Sequence, residues 1–115
     1  MKALSIRQLR AELIMRGIKT TEFRSRPTKV RGRIYIYTAL GRCDPDVEQD
    51  CQQEYGIDVD SLPRGVIVGT VELYDCDGDE WQFRLPERAN ELRKPENHPM
   101  PVWFTPFNGT SARSP

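Results

Sequence analysis

Three features are scarce in this chain. No run approaches the roughly 18 consecutive apolar residues of a membrane-spanning helix, so a helical membrane protein is excluded. The single histidine is His98, and the three cysteines, Cys43, Cys51 and Cys76, include no C-x-x-C pair. Without a Cys/His cluster there is no ligand set for a structural zinc ion, and neither a metal nor another cofactor is expected. An odd number of scattered cysteines reads as reduced thiols in a cytoplasmic protein rather than as a disulfide framework. The opening MKALSIRQLRAEL is too polar for a secretory signal.

What is abundant is charge, and it is unevenly placed. The 115 residues hold 17 basic and 17 acidic side chains, a formal net charge of zero. Residues 1–42 carry eleven basic and two acidic residues, a balance of +9; residues 43–80 carry one and twelve, a balance of −11; the remainder carries five and three, +2. Segregated charge steers an anionic partner over distances of about a Debye length, 8–10 Å, whatever the net charge. The basic character peaks between Arg16 and Arg33, where seven cations surround one acid, Glu22. That lone carboxylate is either an ion-pair partner or a working group.

A chain of this length forms one domain with a modest core, here residues 1–107, followed by a small polar tail, 108–115, that reads as disordered. Lys2–Ile6 is apolar enough for a first strand. A helix follows, with Leu9, Leu13 and Ile14 as its apolar stripe and Gly17 as its C-terminal cap. Its start is ambiguous: Ser5-x-x-Gln8 has the form of a capping box, and a start at Gln8 or Leu9 fits equally well. Two alternating runs come next. In Lys19–Ser25, Glu22 and Arg24 share a face and Phe23 takes the other, expected to be the buried one. In Arg33–Thr38, Ile34 and Ile36 face one way and Arg33, Tyr35 and Tyr37 the other.

Asp44-Pro45 predicts a helix start and Gly56 its end, with Val47, Cys51 and Tyr55 on one face of an acidic element that covers one end of the sheet. Gly65–Cys76 is the strongest strand, and Gly69 within it marks a bulge or a close backbone approach. Alternation sets Glu72 on the face of Val66, Val68, Thr70 and Tyr74, partly buried and in need of a cation. The basic Gly17–Tyr35 stretch is the expected supplier. An acidic turn, Asp75–Asp79, leads into a strand at Trp81–Leu85; a short helical turn is expected at Glu87–Leu92, and Val102–Phe107 closes the sheet. The Asn108-Gly109-Thr110 sequon lies in the tail. The pattern amounts to an α+β, mainly β, small mixed barrel of about six strands with two or three short helices.

Five stretches, ALSIRQ (Ala3–Gln8), GIKTTEFRS (Gly17–Ser25), RGRIYI (Arg31–Ile36), LPRGVIVGTVEL (Leu62–Leu73) and PVWFTPF (Pro101–Phe107), occur in an order and spacing that resemble the ASCH domain family, a branch of the PUA-like barrels. The chain departs from the family where many members have Pro-Trp after Arg-Gln; here Leu9 and Arg10 stand there, which removes an aromatic near the cleft. The resemblance implies a basic cleft between the barrel and the first helix, lined by a G-x-K-x-x-E-x-R segment: Gly17, Lys19, Glu22 and Arg24. It implies an RNA- or nucleotide-binding module.

A second outcome comes from an enzyme branch that hydrolyses the acyl amide of N4-acetylcytidine with a lysine, a threonine three residues later and a glutamate from the central strand. Carried over, these fall on Lys19, Glu22 in place of threonine, and Glu72, and other members are ribonucleases. For the binding outcome, Arg7, Lys19, Arg24 and Arg33 would meet phosphate, Gln8 and Glu22 a base edge, and Tyr35 or Trp103 would stack. For the hydrolytic one, Lys19, Glu22 and Glu72 would be catalytic, with Glu72 as general base. The expected partner is RNA, a nucleoside or a nucleotide, and the expected state a monomer.

Overall fold

A computed structural model describes residues 1–108. Apart from Asn108, the expected tail and the rest of its sequon lie outside the described residues. Among those described, the elements in chain order are β1 (Ala3–Gln8), α1 (Arg10–Met15), β2 (Thr21–Phe23), β3 (Gly32–Arg42), α2 (Pro45–Tyr55), a 3-10 turn (Val59–Ser61), β4 (Ile67–Asp77), β5 (Glu80–Arg93) and β6 (Trp103–Phe104). The six strands make one mixed sheet in the order β2-β5-β4-β3-β1-β6, with β1 and β3 parallel and every other pair antiparallel.

The sheet curls without closing. Its two ends are drawn together by the Arg24 Nη2–H donating to the Ser5 carbonyl at 3.0 Å and by the stacked rings of Trp81 on β5 and Trp103 on β6, 5.6 Å apart and inclined by 10°. The concave face carries the main core, including Leu4, Ile6, Ile34, Ile36, Val71, Leu73, Trp81 and Phe83, and α1 seals it with Ala11, Ile14 and Met15. This is the small α+β barrel-like fold that the strand and glycine pattern predicts.

Local chemistry explains most boundaries. Asp44 caps α2 by accepting the Asp46 N–H, Pro45 opens it, and Gly56 ends it at φ 67°. The Ser5–Gln8 capping box is not used, because both residues belong to β1. Gln8 still caps α1: its buried Oε1 accepts the Glu12 N–H at 3.0 Å, while its Nε2–H donates to the Pro63 carbonyl. A short helix thus gains the partner its free first-turn donors require.

The expected helical turn at Glu87–Leu92 is instead strand, since β5 continues to Arg93 and pairs with β4 as far as Ile67↔Arg93. Local helical preference yields there to a long antiparallel ladder. Gly69 has the role its position suggests. A Cβ there would fall on the Glu87 carbonyl oxygen and the Met15 methyl group, and the register against β3 slips beside it, where Ile36 pairs with Gly69 but Tyr37 with Ile67. That slip inserts Val68 as an extra residue, so Val68 and Val71 both join the concave core. Glu72 is thereby set opposite to the side that simple alternation from Val68 predicts.

The faces of β2 are likewise the reverse of those expected. Glu22 is fully buried and Phe23 is 60% exposed. β2 is a three-residue edge strand whose register pairs Glu22 with the buried Trp81, and side chains directly opposite in an antiparallel pair share a face. Phe23 is left outside, with the Lys19 ammonium 5.8 Å from its ring centre.

Candidate functional site

The site is organised around Glu22. Its side chain has no solvent exposure, and three cations converge on it: Arg24 Nε at 2.9 Å and Arg10 Nη1 at 3.6 Å from Oε2, and Lys19 Nζ at 3.6 Å from Oε1. They come from three places in the fold: the residue after β2, the first turn of α1, and the link between α1 and β2. Oε1 accepts no hydrogen bond among the described residues, so the Lys19 charge is its main compensation. A buried carboxylate is tolerable only with such company. Three cations around one anion leave a local excess of positive charge. Arg24 is held twice, by Glu22 and by the Ser5 carbonyl.

That excess faces a cleft of about 770 Å³. Arg7, Arg10 and Arg24 line it, with Ser5 between them, and Tyr37, Ala39 and Leu40 of β3 form an apolar wall. The opposite wall is the strap His98–Val102. Ser5 fastens this strap: its Oγ–H donates to the Met100 carbonyl at 2.8 Å and its N–H to the Val102 carbonyl at 2.9 Å. Val102 adopts φ 69°, a conformation that a β-branched residue rarely takes. Burial pushes the Tyr37 phenol above its usual range, so it remains a neutral hydroxyl at pH 7. Among the described residues no carboxylate lines the cleft and Arg7 has no ion-pair partner. The arrangement suits an anion with a flat or apolar body. Among the described residues no cluster of three His, Cys, Asp or Glu is placed to hold a metal ion, and the three cysteines are free thiols.

Of the residues predicted from sequence, Arg7, Arg24, Lys19 and Glu22 come together at this cleft or directly beneath it. Trp103 lines an adjoining cleft. Gln8 is buried, its Oε1 capping α1 and its Nε2–H bonded to the Pro63 carbonyl, and it does not line the cleft. Tyr35 packs edge-on against Phe107 with ring centres 5.4 Å apart. Arg33 and Glu72 lie elsewhere. They are direct partners across β3 and β4, on the sheet face opposite the one that carries Glu22 and Trp81. There Arg84 Nε donates to Glu72 at 2.8 Å, and Arg33 donates to the Leu85 carbonyl and pairs with Glu87. The Arg84 hydrogen bond, with the charges of Arg84 and Arg33, holds the Glu72 carboxyl below its usual range.

Two expectations are corrected here. The main partner of Glu72 is Arg84 of β5, with Arg33 the only contributor from the Gly17–Tyr35 stretch, and Glu72 does not join Glu22 and Lys19. The cleft is also not bounded mainly by the first helix, which contributes only Arg10; β1, β3, the strap and Arg24 after β2 form the rest. Arg10, Ser5, Tyr37 and the strap were not picked out from sequence. Arg10 stood out in the sequence only as a departure from the family resemblance. The strap gave no periodic signal, because its proline-rich course follows tertiary contacts.

The chain matches the model of the ASCH domain over residues 4–107. It is 33% identical over 100 residues to activating signal cointegrator 1 of Homo sapiens, covering 80% of this chain and 17% of that protein. The corresponding figures for activating signal cointegrator 1 of Mus musculus are 35% over 96 residues, 76% and 16%. The chain therefore spans about a sixth of the length of these relatives. It belongs to the ASCH domain family, and its fold is the PUA-like one. No helix among the described residues is long and apolar enough to cross a membrane.

Proposed function

We propose that this domain binds RNA or a nucleotide in the cleft between β1, β3 and the His98–Val102 strap. The observation that carries this reading is the charge arrangement: Arg7, Arg10 and Arg24 open on a cleft whose wall has no carboxylate, and the one acid beneath them is buried. Guanidinium groups pair phosphate oxygens in a planar, two-pronged fashion, and this contact positions a nucleic acid without reading its sequence. The apolar surface that Tyr37 and Leu40 on one wall and Met100 on the other present suits a sugar or base. In this reading Glu22 and Lys19 do not touch the ligand; Glu22 holds Arg24 and Arg10 in place. Family membership supports the same class of partner, and we infer a monomer acting in the cytoplasm.

A hydrolase acting through Lys19 and Glu72 is less well supported. Glu72 is engaged by Arg84 on the far face of the sheet, so the two groups do not meet at one centre, as proton transfer to a shared substrate requires.

The test is fluorescence anisotropy of a labelled single-stranded RNA titrated with the protein over a range of salt. The expected result is binding whose log K falls linearly with log salt, by about 0.7 per phosphate engaged. Absence of binding at low salt would overturn the proposal. Turnover of N4-acetylcytidine that is abolished in Glu72→Gln would favour the hydrolase instead.

A further inference from the structure

Beside the first cleft lies a second, of about 570 Å³, and the two share Arg24 and Val102 in their walls. Its other walls are the loop from Ser25 to Val30 and the Trp81–Trp103 stack. Among the described residues three cations line it, Arg24, Arg26 and Lys29, and again no carboxylate does. Among the described residues, Arg26 and Lys29 have no ion-pair partner.

The loop is fixed to the core. Trp81 Nε1–H donates to the Arg26 carbonyl at 3.0 Å, and the Thr28 N–H donates to the Cys76 sulfur at 3.5 Å. Trp81 occupies one face of the half-buried Trp103 ring, so the ring meets the cleft with what remains of its surface. A positive wall beside a partly exposed aromatic is the combination that tracks a nucleic-acid backbone and stacks a base.

We propose that the second cleft is a subsite for the next nucleotide of a single-stranded RNA, with Arg24 on the phosphate between the two nucleotides. This rests on the reading of the first cleft as a ligand site and specifies its ligand as a polynucleotide rather than a free nucleoside or mononucleotide. One continuous anionic partner would use both clefts for a simple reason. The guanidinium common to them can serve the linking phosphate, a group that only a chain of two or more nucleotides possesses.

The experiment measures binding of uridine 5′-monophosphate and of a short oligouridylate to the full chain at one low salt concentration, for the native protein and two variants. Arg26→Glu/Lys29→Glu alters two exposed loop residues and is expected to fold normally, as its melting curve checks. Trp103→Ala removes the stacking surface. The oligonucleotide is expected to bind much more tightly than the mononucleotide. The charge-reversal variant is expected to weaken the oligonucleotide by at least about tenfold while changing the mononucleotide by less than about twofold. Trp103→Ala should weaken the oligonucleotide by about fivefold, the low end of what one stacked base contributes. Equal affinity for the two ligands, or equal weakening of both by the charge reversal, overturns the subsite while leaving the first cleft intact. Failure of both ligands to bind overturns the reading of the first cleft, and the subsite with it.

Discussion

Glu22 and Glu72 are both strand carboxylates bonded to arginine, yet they belong to different kinds of surface. Glu72 lies on the outer face with Arg84 and Arg33, and Arg33 in turn meets Glu87. Acids and bases there are matched, and the patch has little field to offer a ligand. Glu22 is the single acid beneath Arg10, Lys19 and Arg24, and Arg7, Arg26 and Lys29 lie nearby in walls without any acid. The difference teaches that counting ion pairs does not find a ligand site. What matters is whether the charges around a group cancel.

The largest effect that would break this contrast is on stability. Glu22→Gln leaves three cations at a buried point without their anion, and it should cost about 3 kcal/mol, the low end for a broken buried pair because the cations reach water. Chemical denaturation checks it. A cost near zero would mean that Glu22 is dispensable to the fold and would reopen a direct role for it with ligand.

Glu12 sharpens the contrast. It is buried like Glu22, but it is paired bidentately with Arg88 at 2.7 and 3.2 Å and with Arg16 at 2.7 Å. Burial pushes its carboxyl up, and the hydrogen bonds and charges of Arg88 and Arg16 outweigh this, holding it below the ordinary value of 4.5. A carboxylate depressed in the folded state stabilises fully above its unfolded pKa, and that stability is lost as pH falls through the folded pKa. Glu12→Gln should therefore cost about 2 kcal/mol at neutral pH, with the difference from the native protein shrinking as pH falls below 4.5. Unfolding curves at several pH values test this. A difference that stays constant down to strongly acid pH would contradict it.

The smallest effect is expected at Glu72. Glu72→Gln should leave the melting temperature and RNA affinity unchanged within experimental scatter, because its side chain is partly in water and its main partner Arg84 is exposed. A marked drop in affinity in this variant would erase the distinction between the two faces.

The legible part of this molecule is what local rules control. Asp44-Pro45 and Gly56 bound the second helix where a cap and a left-handed glycine require, and Gly69 announced the tight spot in the central strand. The basic stretch gave Lys19, Glu22 and Arg24 because charge segregation survives folding. The rest depended on tertiary events that leave weak traces. One extra residue at Val68 turned Glu72 to the other face, since a single slip in a strand reverses every side chain beyond it. The three-residue β2 was too short for its alternation to say which side faced the core. The strap over the cleft is held by bonds from Ser5, some 95 residues away in sequence, which no periodicity could announce.

The most direct test compares two charge reversals of the same kind on the two regions. Arg7→Glu lies in the acid-free cleft wall and Arg84→Glu in the matched outer patch; both residues are exposed. Binding of a labelled single-stranded RNA is measured for each across a salt series. Arg7→Glu is predicted to weaken binding and to make the slope of log K against log salt shallower by about 0.7 for each phosphate that the variant no longer neutralises, whereas Arg84→Glu keeps the native affinity and slope. Equal weakening in the two variants, or weakening only in Arg84→Glu, would contradict the assignment of the cleft as the nucleic-acid site.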